Sequence, residues 1–122
     1  MSQHNEVGKI GENLAGKFLE EKGYKILEQN YRTRFAEIDL ICESPTKFLQ
    51  KPCLVFIEVR TKVGENFGSP EDTLNRQKLW KVLQNAKSYT GFKKWNGPCR
   101  IDAVCIVLNQ ICLCNVSPTT KT

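Results

Sequence analysis

Between Glu6 and Lys22 apolar side chains recur at Val7, Ile10, Leu14 and Phe18, with Gly11 and Ala15 beside them, which is the spacing of a helix with one covered face. Asn5 reads as its N-cap, acidic Glu6 sits just inside, and Gly23 reads as its stop. At about 100° per residue, Glu12 falls on the flank of the apolar stripe, within reach of a neighbouring sheet edge. Tyr24 to Thr33 predicts a first strand, weakened by the polar run Glu28-Gln29-Asn30. Glu37 to Glu43 then alternates Glu37, Asp39, Ile41 and Glu43 against Ile38, Leu40 and Cys42, and Arg34-Phe35-Ala36 forms the connection of a hairpin.

After a turn-like stretch from Ser44 to Pro52 comes Cys53 to Thr61, a near-continuous apolar run expected of a central strand covered on both faces. Glu58 and Arg60 interrupt its second half, and alternation puts them on one side with Leu54, Phe56 and Lys62. Val63 to Ser69 is a loop, and Pro70 can open a helical turn. Asn75 can cap a second helix running to about Thr90, with Leu79, Val82, Leu83 and Ala86 inward, Arg76 and Lys78 flanking, and Lys81 pointing away. Arg100 to Leu108 predicts a strand, Asn109-Gln110 a two-residue turn, and Ile111 to Val116 a final strand. The expected order is helix, three strands, helix, two strands: an α/β single domain whose mixed central sheet is flanked by helices, with its core at about residues 6 to 116 and a loose tail from Ser117 to Thr122.

Composition narrows the picture. A chain of 122 residues can bury roughly two thirds of its unfolded surface, enough for one core without disulfide or metal support. No apolar run is long enough to cross a bilayer, and the N-terminal residues lack the basic start and apolar stretch of a secretory signal, so a cytoplasmic location is expected. There the six cysteines are expected reduced. Cys112 and Cys114 share a face and Cys105 lies on the adjacent strand, but neither C-x₂₋₄-C pairs nor a nearby histidine completes a zinc site, so packing is the default reading. The net charge of +5 is a weak vote for a phosphate-bearing partner. Trp80, Tyr89, Phe92 and Trp95 among Lys87, Lys93 and Lys94 allow stacking on unpaired bases, the alternative being core edge and solvated face.

The chemistry concentrates on Asp39, Glu58 and Arg60. A carboxylate inside an apolar strand costs several kcal/mol of desolvation unless a partner compensates. A divalent cation is a natural compensator, since carboxylate oxygens suit Mg²⁺ or Mn²⁺, and a neighbouring cation can hold a phosphate. The alternative is a strand-end ion pair in which Glu58 and Arg60 neutralise each other.

Six segments, in order, resemble the blocks of the YraN-like family of small bacterial proteins: Gly11 to Ala15, Asn30-Tyr31-Arg32, Glu37 to Ile41, Val55 to Lys62, Phe67 to Pro70 and Arg100 to Val104. The resemblance spans about Glu6 to Val116 and implies a restriction-endonuclease-like fold with a PD-(D/E)xK-type nuclease core, similar to that of Holliday junction resolvases. It implies Mg²⁺, with Mn²⁺ as substitute. Asp39 matches the first metal-binding acid, Glu58 the second, and Glu12 the additional acid of resolvase-like members. Arg60 stands where the wider superfamily usually has Lys. Lys78 matches a basic residue early in the second helix that contacts phosphate, with Arg76 and Lys62 as further candidates. The implied partner is DNA, branched or structured forms included, and cleavage of two strands favours a symmetric pair of chains.

Two positions depart from the family pattern. Arg60 stays protonated and can stabilise charge but cannot take a proton from water. Ala36 replaces the usual Gly before the Glu37 block, which strains the turn only where φ is positive. The expected function is a metal-dependent phosphodiesterase, with a nucleic-acid-binding protein that keeps the fold without turnover as the alternative. Asp102, on the face of Arg100, reads equally as a structural ion pair or a site residue.

Overall fold

The computed structural model describes residues 3–48, 50–63, 76–108 and 116–121, with side chains for 6–48, 50–63 and 76–108. The elements run α1 (Gln3–Glu21), β1 (Lys25–Arg32), β2 (Glu37–Glu43), β3 (Leu54–Val63), α2 (Arg76–Lys93), β4 (Cys99–Leu108) and β5 (Val116–Lys121). The strands lie side by side in chain order, with every neighbouring pair antiparallel except β3 and β4. The protein is therefore α/β, with a mixed sheet and, among the described residues, two helices. Among the described residues, no helix is long and apolar enough to cross a membrane.

Alternation along the strands divides the core between the two faces. Leu40, Cys42, Val55, Ile57, Val104 and Ile106 pack with Ala15 and Leu19 of α1, whereas Ile41, Leu54 and Phe56 pack with Ala86 and Tyr89 of α2. Cys42 and Cys105 are buried among these residues, and burial pushes the Cys42 thiol up to about 12, so that it stays protonated as a small apolar filler. Cys112 and Cys114 lie outside the described residues, as do the Asn75 cap, the Phe67 to Pro70 loop and the Asn109-Gln110 turn.

Three expectations about the helices and the tail change. Helix α1 begins at Gln3, so Asn5 falls within its first turn, and Ile10 is 41% exposed because the covered stripe is centred on Gly11 and Ala15. Its C-terminus is as expected: Gly23 has φ of 93°, and Tyr24 N–H donates to Leu19 O at 2.9 Å, closing the last turn. Helix α2 is rolled relative to its apolar pattern. Val82, Asn85, Ala86 and Tyr89 are buried, whereas Leu79 and Leu83 are exposed. The tail, expected loose from Ser117, instead forms β5 through Lys121 against the open edge of β4. The β-branched Val116, Thr119 and Thr120 favour a strand, and Pro118 is tolerated on an edge.

Asn85 explains the roll of α2. It is fully buried, accepts a hydrogen bond from Thr33 Oγ1, and donates through Nδ2 to Ala36 O at 2.6 Å. Both ends of the hairpin connection between β1 and β2 are thereby tied to the helix. Thr33 N–H also donates to Ala36 O at 3.0 Å. Ala36 is not among the described residues with positive φ, so no glycine is required there. Replacing Asn85 with Leu keeps the volume but removes the acceptor of the Thr33 hydroxyl and one of the two donors to Ala36 O, both in a part-buried setting. We expect a loss of about 2 to 3 kcal/mol in urea unfolding, against under about 1 kcal/mol for Leu83→Ala on the exposed face.

Candidate functional site

The antiparallel ladder between β2 and β3 runs only from Glu43↔Leu54 to Leu40↔Ile57, whereas β3 stays paired with β4 from Leu54↔Cys99 to Val63↔Leu108. Beyond Leu40 and Ile57 the two central strands part, and Asp39 and Glu58 are the first residues past the fork. The fork leaves the Val59 N–H without a ladder partner, and the Asp39 carboxylate takes its place, accepting from Val59 N–H at 2.7 Å. Asp39 is thus fixed by the backbone of the strand that carries Glu58. Burial pushes its carboxyl up to about 6; the Val59 hydrogen bond resists, and the charges of Glu12, Glu58 and Glu37 add to the rise.

Glu58 sits on the same side of β3 as Phe56, as alternation predicts. Its Oε1 meets Lys78 Nζ at 2.7 Å and Arg60 Nη2 at 3.2 Å, the second being an ion pair without hydrogen-bond alignment. The strand-end ion pair anticipated as the alternative is therefore present, and Lys78 of α2 joins it. Glu58 Oε2 is enclosed without a hydrogen-bond partner among the described residues. Such an enclosed, unsatisfied carboxylate oxygen is a suitable donor for a hard cation.

Glu12 reaches the fork from α1, on the opposite face from Lys78. The close approach of α1 to β3 at Gly11 and Thr61 makes this possible: a Cβ on Gly11 would lie 2.9 Å from Thr61 Cβ and closer still to its hydroxyl. Burial raises the Glu12 carboxyl above its ordinary value, and Glu37 raises it further. Glu12, Asp39 and Glu58 thus share one electrostatic neighbourhood. Even so, no three Asp, Glu, His or Cys side chains among the described residues stand close enough to enclose an ion. The geometry decides here: the acids gather around the fork, with Glu58 drawn toward its two cations.

A cleft of about 570 Å³ opens on the α2 side and is lined by Glu37, Asp39, Glu58, Gln77, Lys78 and Lys81, among others. Lys81, expected to point away, borders this cleft because α2 is rolled to bury Asn85. Arg76 is exposed at the start of α2, and Lys62 lies with Glu12 and Arg60 along a smaller cavity of about 200 Å³. Sequence reasoning missed Glu37 and Lys81; the alternation of Glu37 with Asp39 was the available signal for the first. Asp102 takes no part here. It is buried, it accepts from Arg100 Nε at 3.1 Å, and Arg100 in turn donates to Tyr24 Oη at 2.7 Å, which is the structural ion pair. Of the aromatic group, Tyr89 is buried and Trp95 packs at the core edge, whereas Trp80 and Phe92 are exposed.

The fold and the fork define a small α/β protein with a clustered acidic site bordered by Arg and Lys. The chain belongs to the uncharacterised protein family UPF0102, whose model matches residues 11–106. It is 39% identical over 109 residues to a UPF0102 protein of Lawsonia intracellularis, covering 88% of this chain and 78% of the relative. A UPF0102 protein of Cytophaga hutchinsonii is 38% identical over 109 residues, covering 89% and 91%. One from Thermodesulfovibrio yellowstonii is 41% identical over 101 residues, covering 83% and 85%. The YraN-like resemblance read in the sequence is thus family membership, and none of these names states a reaction.

Proposed function

We propose that this protein is a metal-dependent phosphodiesterase acting on DNA, with a restriction-endonuclease-like core. The observation that carries the reading is the fork, where Asp39 and Glu58 leave the central ladder together with Glu12 alongside and a cation-lined cleft in front. Asp39 and Glu58 would hold Mg²⁺ or Mn²⁺, with Glu12 acting through water. Such an ion would supply an activated water and neutralise charge on the leaving oxygen. Arg60 and Lys78, which stand beside Glu58, would bind the phosphate, with Lys62 extending the contact along β3 and Arg76 at the start of α2. Arg60 does not act as a base. Cutting both strands of a branched substrate calls for a symmetric pair of chains.

A second reading has its own support. Glu58 already has two cationic partners, and the described acids enclose no ion, which suits a protein that binds nucleic acid without cutting it. The deciding assay incubates the purified chain with branched, single-stranded and duplex DNA in Mg²⁺, in Mn²⁺ and in chelator. The proposal expects cutting only with metal, and its loss in Glu58→Ala. Equal residual cutting by Glu58→Ala removes the enzymatic reading, and DNA binding without any cutting supports the second.

A further inference from the structure

We propose that Asn30 is a positioning residue that holds Glu12 and Glu37 together at the mouth of the fork without cancelling their charge. This inference rests on the metal-site reading above, and it gives a role to the Asn30-Tyr31-Arg32 block. With its amide nitrogen facing the two carboxylates, Asn30 donates to Glu12 Oε1 at 2.6 Å and to Glu37 Oε1 at 3.0 Å. The opposite orientation would aim the amide oxygen at two anions, so the chemistry selects this one.

The backbone is shaped for this contact. The rungs Gln29↔Leu40 and Tyr31↔Ile38 bracket Asn30, placing it opposite Asp39 in the β1–β2 register. Asn30 nevertheless has φ of 52°, a left-handed conformation in mid-strand. Non-glycine residues rarely adopt it, and Asn tolerates it best, so a strained residue beside a candidate site has a function to account for. The two residues that follow it fasten the strand. Tyr31 packs edge-on against Tyr89, with ring centres 5.1 Å apart, and Arg32 binds Glu37 Oε2 at 2.8 Å.

A neutral amide is the informative choice. Lys at this position would pin both carboxylates but would also supply the positive charge that a metal is meant to bring. The two N–H groups of Asn aim Glu12 and Glu37 without adding charge; Glu37 is already paired with Arg32, so it is the charge of Glu12 that stays available to a cation. This is how residues behind metal ligands commonly act, and losing one typically costs about 10- to 100-fold in metal affinity.

The test has two arms. In ¹⁵N-labelled protein, the Asn30 side-chain amide signals should shift in Glu12→Gln and again in Glu37→Gln; signals that move in neither variant overturn the proposal whether or not the protein binds metal. The second arm is Mn²⁺ titration by calorimetry of wild type and Asn30→Gly, a variant that keeps the positive φ at ease and removes the side chain that carries the amide. About tenfold weaker Mn²⁺ binding with an unchanged melting temperature is expected. Unchanged affinity in Asn30→Gly also overturns the proposal. Wild type that binds no Mn²⁺ at all sinks the metal-site reading instead, and the amide signals then decide the role of Asn30.

Discussion

At pH 8, Asp39→Asn is expected to melt several degrees above the wild type in chelator and, in Mg²⁺, to have lost at least about a hundredfold in any metal-dependent cutting of DNA. Both effects have one cause. The Asp39 carboxyl is pushed from an ordinary 3.8 up to about 6, chiefly by burial, so the folded state prefers the protonated acid. A carboxylate whose folded value lies above its unfolded value costs nothing below pH 4, costs progressively more between about pH 4 and 6, and carries the full penalty above that. A shift of this size corresponds to about 2 to 3 kcal/mol. An asparagine side chain is neutral at every pH and its carbonyl oxygen can still accept from Val59 N–H, so the fork stays capped. The advantage of the Asp39→Asn variant should therefore vanish as the pH falls to 4. Melting curves from pH 4 to 8 in chelator, beside cutting assays in Mg²⁺, make the comparison; an Asp39→Asn variant less stable than wild type across pH 6 to 8 contradicts the account.

Gly11→Ala is expected to destabilise the protein by about 2 to 3 kcal/mol and to reduce any metal-dependent cutting at the same time. The added Cβ meets the short, stiff Thr61 side chain rather than a flexible one, so α1 must move away from β3. Glu12 is the next residue and moves with it. Gly8, one turn earlier, has open space around its would-be Cβ, so Gly8→Ala should be neutral or stabilising by up to about 1 kcal/mol through helix propensity. Urea unfolding of both variants, and of Gly11→Ala combined with Thr61→Ala, measures the clash. The combination should recover about 1 kcal/mol, because Thr61 Oγ1 and Cγ2 are gone. Equal stability of the two single variants would mean that α1 does not sit on Thr61.

The strands β2, β3 and β4 were legible because their residues are dictated by burial: Leu54 to Ile57 and Val104 to Ile106 leave little freedom in element or face. Asp39 and Glu58 were legible for the converse reason, as charges where the pattern demands apolar side chains. The face of α2 was misread because its innermost residue is a polar Asn, recruited by a hairpin turn about fifty residues earlier in the chain. No periodicity rule registers such a partner. The β5 tail was missed because Ser117, Pro118 and Lys121 are an unpromising strand until the edge of β4 is in view. The bond from Val59 to Asp39 depends on where a ladder stops, which composition along one strand does not reveal. Glu37 and Asn30 were obscured by their exposed surroundings, although the alternation of Glu37 with Asp39 was visible.

The unequal pairing of β3 gives the fork one stiff prong and one compliant prong. The Glu58 side is clamped to β4 along its whole length, so its carboxylate and guanidinium are mounted on a continuously paired strand. The Asp39 side belongs to a hairpin that, past Leu40, is joined to β3 by the Asp39–Val59 bond and braced from behind by Asn85. Any change in the width of the gap must then come from the hairpin swinging rather than from the centre of the sheet. An ion seated between Asp39 and Glu58 would load the Asp39–Val59 bond and the Asn85 brace, together with the Tyr31–Tyr89 and Asn30–Glu12 contacts that also hold the hairpin.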